Sequence, residues 1–144
     1  MSVSFDAEQG LVVVPVELTG PSGQAILRLA LDTGATRTLI STSLLVALGY
    51  DPAAAPDRRE VTTGSGVEFA ALVEVVKLLA LARQRTRFPV LAHTLPPSAG
   101  VDGVLGLDFL RGGILTVDLQ KGQVHLAEPS DELDRNQLGR STST

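Results

Sequence analysis

The sequence contains no cysteine and no tryptophan, and it has only four phenylalanines and one tyrosine among its 144 residues. The lack of cysteine excludes disulfides, thiolate nucleophiles, iron–sulfur clusters and thiolate zinc sites. Because 44% of the residues are apolar and few are aromatic, the core is predicted to consist mainly of leucine, valine and alanine. A chain of this length buries roughly 70% of its unfolded surface, which is sufficient for one domain without cross-links.

Positive charge and long apolar runs are also scarce. The formal net charge is −4, which argues against the basic surface of a nucleic-acid-binding protein. No apolar run approaches the roughly 20 residues of a membrane span, and the first residues lack the pattern of a signal peptide. We therefore expect a cytoplasmic protein without nucleic-acid or membrane partners, although the sequence also fits a soluble domain of a longer or membrane-anchored protein.

The apolar segments are short and are separated by turn residues, which predicts a mainly β fold with a closed barrel or sandwich. Hairpins are predicted at residues 11–31, 61–69 and 114–127. Short helices are predicted at residues 43–49 and before the glycine pair at 112–113.

Residues 70–87 and the C-terminal segment are predicted as follows. Residues 70–82 are rich in alanine and leucine, which favours a helix, but their apolar side chains alternate, and we predict a strand. Residues 83–87 are interpreted as a polar turn whose three arginines lie in solvent rather than bind an anion. Residues 1–127 are predicted to form one domain, and the polar residues 128–144 are predicted to form a flexible tail.

A carboxylate at a predicted strand end is the first candidate for chemistry. Asp32 follows apolar strand residues and is followed by Thr33, Gly34 and Ala35. A strand end would hold the carboxylate rigidly, and the glycine would let another backbone approach. The same residue types are common where a strand enters a turn, so these residues alone leave both interpretations open.

Asp-Thr-Gly-Ala after an apolar strand resembles the active-site loop of the retropepsin-like aspartic proteases. The apolar-apolar-glycine motif that precedes a short helix in this family is matched by residues 104–106. The following residues, 107–110, are similar to the non-viral branch, and residues 62–66 loosely match the glycine-rich flap. The resemblance covers about residues 10–127 and implies a retropepsin-like acid-protease barrel with one or two short helices.

The resemblance implies roles for the residues of the loop. Asp32 is the expected catalytic carboxylate. Thr33 would brace the loop against its twin across a two-fold axis, and Gly34 would let loops and substrate approach. Ala35 would support the same loop.

The other two motifs imply roles around the loop. Gly64, Ser65 and Gly66 are the expected tip of a flap that closes over an extended polypeptide substrate. Gly106 is the expected structural turn behind the loop.

The mechanism of this family requires two carboxylates, one as base and one as acid. The chain has one Asp-Thr-Gly, so the resemblance implies an endopeptidase acting as a homodimer, with Asp32 from each subunit and no cofactor. An intramolecular pair of Asp32 with Asp102 is disfavoured. The alternative is a retropepsin-fold module that dimerises or binds peptide without cleaving it.

The chain departs from the retroviral pattern in two places. Retroviral members usually carry an acidic residue shortly after the motif, where this chain has Thr36 and Arg37. Interleaving of both termini between subunits is also not evident, since the C-terminal segment is polar.

Other candidates for a site are weaker. His93 and His125 show no ligand spacing, so no metal site is expected. Asp108, at the start of a predicted helix, is interpreted as a helix cap.

Overall fold

The computed structural model describes residues 2–63 and 66–129, and this part of the chain is mainly β, as predicted. Its strands and helices are β1 (Ser2–Ser4), β2 (Val13–Gly20), β3 (Gly23–Leu31), β4 (Leu39–Ser41), α1 (Thr42–Ala47), β5 (Asp57–Thr63), β6 (Gly66–Ala80), β7 (Arg83–His93), β8 (Gly103–Leu105), α2 (Leu107–Leu110), β9 (Ile114–Asp118) and β10 (Gln123–Ala127). Single 3-10 turns lie at Pro52–Ala54 and Pro97–Ala99. None of the helices in the described ranges is long and apolar enough to cross a membrane.

Six strands form a closed barrel. Strands β2, β3, β8, β4, β7 and β6 pair in that order, and β6 pairs back with β2. The buried core consists largely of leucine, valine and alanine, with Phe109 as its fully buried aromatic residue, which confirms the predicted core composition. Strands β3 and β8 are parallel neighbours, with Ala30 opposite Val104. This pairing brings the Asp-Thr-Gly segment beside the apolar-apolar-glycine segment.

A two-stranded arm projects from the barrel. Strand β5 pairs with β6 from Asp57–Leu72 to Thr63–Gly66, whereas the pairing of β6 with β7 begins only at Ala71–Ala92. We call β5 and residues 66–70 of β6 the hairpin arm. The predicted hairpin at 61–69 is confirmed but begins earlier, because cross-strand bonds to β6 hold even the charged residues 57–60 in a strand. Gly64 and Ser65, at the predicted tip, lie outside the described residues.

The segment around residues 70–87 confirms one prediction and corrects another. Residues 70–80 are strand, as predicted, but the predicted turn at 83–87 is wrong, because those residues belong to β7. The turn is formed instead by Leu81 and Ala82, whose φ angles are 54° and 62°. Two consecutive left-handed residues match the twist of a tight hairpin, although neither leucine nor alanine is typical of such a turn.

Two of the three arginines at 83–87 are structural rather than solvated. Arg83 is 8% exposed, and its guanidinium donates to the carbonyls of Phe109 (3.0 Å) and Arg111 (2.6 Å). Arg85 donates to the same carbonyl of Phe109 at 2.9 Å. These bonds satisfy carbonyls at the C-terminal end of α2, which have no partner within the helix.

A second, three-stranded sheet joins both ends of the described chain. Its order is β1–β10–β9, with Val3 opposite Val124. The predicted hairpin at 114–127 is confirmed, whereas β1 was not predicted. Glu128, at the start of the predicted tail, forms an ion pair with Arg83 at 2.7 Å. Residues 130–144 of that tail lie outside the described residues.

Candidate active site

Asp32 lies directly after β3, in a turn that β8 anchors. Its backbone N–H donates to the carbonyl of Leu105 at 3.0 Å, and its Oδ1 accepts from the N–H of Gly34 at 2.8 Å. The backbone N–H of Ala35 donates to the carbonyl of Asp32 at 3.2 Å. The residues thus form a tight turn that fixes the carboxylate at a strand end, while Asp32 itself is exposed.

The remaining loop residues continue this turn. Thr33 and Gly34 are exposed, whereas Ala35 is partly buried and its carbonyl accepts from the N–H of Leu107 at 2.8 Å. A Cβ added to Gly34 would lie 3.1 Å from Asp32 Oδ1. A larger residue at Gly34 would therefore press on the carboxylate.

Gly106 lies against the backbone that follows the loop. A Cβ added to it would lie 2.7 Å from the carbonyl carbon of Arg37 and 3.0 Å from the carbonyl oxygen of Ala35. Because backbone atoms cannot move aside as a flexible side chain can, this close approach requires glycine.

Thr38 and Asp108 are joined by hydrogen bonds that no sequence motif predicts. The backbone N–H of Thr38 donates to both carboxylate oxygens of Asp108, at 2.9 and 3.0 Å, and Thr38 Oγ1 donates to Asp108 Oδ1 at 2.8 Å. Thr38 Oγ1 also accepts from the N–H of Gly106 at 3.1 Å. Thr38 is fully buried. The carboxylate predicted to cap α2 therefore serves mainly to fasten α2 to the chain after the Asp32 loop.

A groove of about 460 Å³ opens beside Asp32. The Asp32 loop and Arg37, apolar residues of the barrel strands and residues of the hairpin arm line this groove. The apolar barrel residues are Leu39, Leu91 and Val104, and the residues of the arm are Glu60, Val61 and Thr62. Gly66, the last of the predicted flap residues, begins β6 with a φ of 123°. The arm thus lines the same groove as the carboxylate.

A larger cavity of about 950 Å³ lies beyond Val61 and Leu39, which line both spaces. Asp32 does not line this cavity. We therefore place the candidate active site in the smaller groove, where the carboxylate is.

The other carboxylate and imidazole candidates are engaged elsewhere. Asp102 accepts from the N–H of Arg28 at 2.8 Å and does not line the groove. His93 lies 2.8 Å from a carboxylate oxygen of Glu68. Within residues 2–63 and 66–129, no three His, Asp or Glu side chains gather as a metal site would require.

Comparison with known proteins decides the family. A sequence model of the aspartyl protease family matches residues 14–109, a span that contains both the Asp32 loop and Gly106. The chain belongs to the aspartyl protease family. No curated protein is significantly similar to it in sequence.

The fold of this aspartyl protease is similar to that of a retropepsin-like aspartic protease from Rickettsia conorii. The TM-score is 0.66, and the match covers 88% of each chain at 16% sequence identity. The predicted retropepsin-like barrel with few short helices is therefore confirmed.

Proposed function

We propose that this aspartyl protease is an endopeptidase that cleaves extended polypeptides as a homodimer, with one Asp32 from each subunit. The observation that carries the proposal is the position of Asp32, an exposed carboxylate fixed at a strand end and lining a groove. Membership of the aspartyl protease family supports the same chemistry.

The need for two copies follows from the acid–base work of peptide hydrolysis. One carboxylate removes a proton from the attacking water while a protonated carboxyl donates to the substrate carbonyl oxygen. A single Asp32 cannot hold both protonation states at once. Asp102 and Asp108 accept backbone N–H groups, and Glu60, the other carboxylate that lines the groove, lies on the hairpin arm. We propose that the second carboxyl group is Asp32 of a second copy of the chain, as the resemblance to the retropepsin-like proteases implies.

The surrounding residues receive roles in the same scheme. Thr33, Gly34 and Ala35 hold the loop so that two copies can approach each other. The hairpin arm covers the bound peptide and excludes water, and Gly64, Ser65 and Gly66 have the role of the flap tip that the resemblance implies. Gly106 fixes the backbone behind the loop.

The test is digestion of a diverse peptide library at pH 4–7 by the purified chain and two variants. Asp32→Asn preserves the shape of the side chain but removes its acid–base function, so cleavage should fall by several orders of magnitude. Asp102→Asn is the matched control, since an amide oxygen can still accept from Arg28, and it should cleave as the wild type does.

Mixing experiments test the homodimer. Excess Asp32→Asn subunits should inhibit the wild type, because mixed dimers hold one functional carboxylate. Cleavage by purified Asp32→Asn protein, or undiminished cleavage in the mixture together with a monomer in sedimentation, would contradict the proposal. Peptide binding by the wild type without any cleavage would favour the non-catalytic module.

A further inference from the structure

Arg37 contributes a positive charge to the groove that contains Asp32. Arg37 belongs to the chain that follows the Asp32 loop, is partly buried, and lines a groove that the hairpin arm also lines. No other arginine or lysine lines this groove in the part of the chain that the structure describes.

The guanidinium of Arg37 has no ion pair or hydrogen bond with any of the described residues. By contrast, Arg83 is paired with Glu128 and Arg87 with Glu74. Glu60 also lines the groove but makes no ion pair with Arg37. The groove therefore presents a cation that is partly removed from water and free to bind a ligand.

The chemistry of the groove defines the side chain that fits it. Leu39, Leu91 and Val104 offer apolar contact to a methylene stem, and a guanidinium binds a carboxylate through two parallel hydrogen bonds. A glutamate side chain satisfies both requirements. Asp32 and Glu60, the two carboxylates that line the groove, oppose an acidic ligand, but both are exposed, so water and salt screen their charges.

We infer that Arg37 is a specificity-determining residue and that the groove selects peptides with an acidic side chain, glutamate above all, next to the bond to be cleaved. This inference rests on the proposed function. The competing role for Arg37 is to pair with Glu60 when the arm closes, which would give no preference for acidic peptides.

The experiment compares kcat/KM for peptides that carry glutamate, glutamine or lysine at each position beside the cleaved bond. At one position the wild type should prefer glutamate over glutamine by roughly ten- to hundredfold, the range expected for a hydrogen bond to a charged group. Arg37→Gln should abolish this preference, and Arg37→Glu should reverse it in favour of lysine. Glu60→Gln should keep it.

The matched control is Lys121→Glu, which changes the net charge by the same amount at an exposed position in the β9–β10 turn. It should retain the preference of the wild type. The inference is overturned if Arg37→Glu keeps the preference of the wild type for glutamate. It is also overturned if Glu60→Gln loses that preference. Sedimentation and unfolding of each variant show whether a loss of cleavage is caused by misfolding or failed assembly. In that case Arg37→Lys, which keeps the charge, should retain a reduced preference for glutamate.

Binding measurements separate this inference from the proposed function. Labelled glutamate, glutamine and lysine peptides are titrated with Asp32→Asn protein, with and without Arg37→Glu, and followed by fluorescence anisotropy. If no peptide is cleaved by the wild type, but glutamate peptides bind in an Arg37-dependent manner, the proposed protease activity is wrong. In that case Arg37 selects acidic side chains for binding, and the part of the inference that concerns cleavage is overturned. Cleavage without any charge preference contradicts the inference alone. Absence of both cleavage and Arg37-dependent binding overturns both.

Discussion

The link between Thr38 and Asp108 predicts a large loss of stability when the carboxylate is removed. Asp108→Ala deletes the acceptor for the backbone N–H and the hydroxyl of Thr38, which is fully buried. The hydroxyl can turn elsewhere, but the buried N–H has no alternative. One unsatisfied buried donor costs about 1–3 kcal/mol, and the lost bonds have a charged acceptor, so we expect a decrease of about 3 kcal/mol in the free energy of unfolding.

The assay is equilibrium unfolding in urea, with Asp108→Asn as the matched variant. The amide oxygen can still accept from Thr38, so this variant should lose only about 1 kcal/mol. A double-mutant cycle with Thr38→Ala isolates the bond between the Thr38 hydroxyl and the Asp108 carboxylate, because the backbone N–H of residue 38 is present in both variants. The coupling energy should be about 1–3 kcal/mol, and additive effects would contradict this bond alone. An Asp108→Ala protein within about 0.5 kcal/mol of the wild type would refute the argument about the buried N–H.

Two further predictions concern Gly106 and Glu128. Gly106→Ala should abolish cleavage and strongly lower the free energy of unfolding, since the new Cβ would lie 2.7 Å from backbone. The control Gly112→Ala has open space around the new Cβ but a φ of 83°, and it should lose only about 1 kcal/mol. Equal unfolding midpoints for the two variants would contradict this prediction. The hydrogen bond from Arg83 lowers the pKa of Glu128 from its ordinary value of 4.5, so the stabilisation is present above that value and is lost as the pH falls through the lowered pKa. Glu128→Gln should therefore be less stable than the wild type at pH 7 and approach it in acid, while Glu74→Gln, at an exposed ion pair, should change little; a pH-independent difference for Glu128→Gln would contradict the assignment.

The sequence predicted those parts of the fold that local chemistry determines. The turn residues around 20–23 and 120–122 marked two hairpins, since glycine supplies the backbone angles that such turns need. The residue types around Asp32 left its role open, and the resemblance of the Asp-Thr-Gly-Ala segment to the active-site loop of retropepsin-like aspartic proteases identified it as the candidate. These signals lie within a few neighbouring positions.

The parts that were missed depend on partners far away in the chain. Leu81 and Ala82 form a turn because the flanking strands pair, and nothing in their side chains indicates it. Thr38 and Asp108 are 70 positions apart in the sequence, so no local pattern predicts that their side chains contact each other. Arg83 was interpreted as solvated because its carbonyl acceptor, Phe109 on α2, is 26 positions away in the sequence and is brought to it only by folding.

The pairing of β1 with β10 has a consequence for regulation. Within residues 2–63 and 66–129, the strands of the terminal sheet all come from one chain. We therefore expect a subunit of the proposed homodimer to fold before it meets another. For the proposed homodimer, the local abundance of the protein then sets the number of complete sites, so crowding subunits together would turn proteolysis on without any chemical modification of the chain.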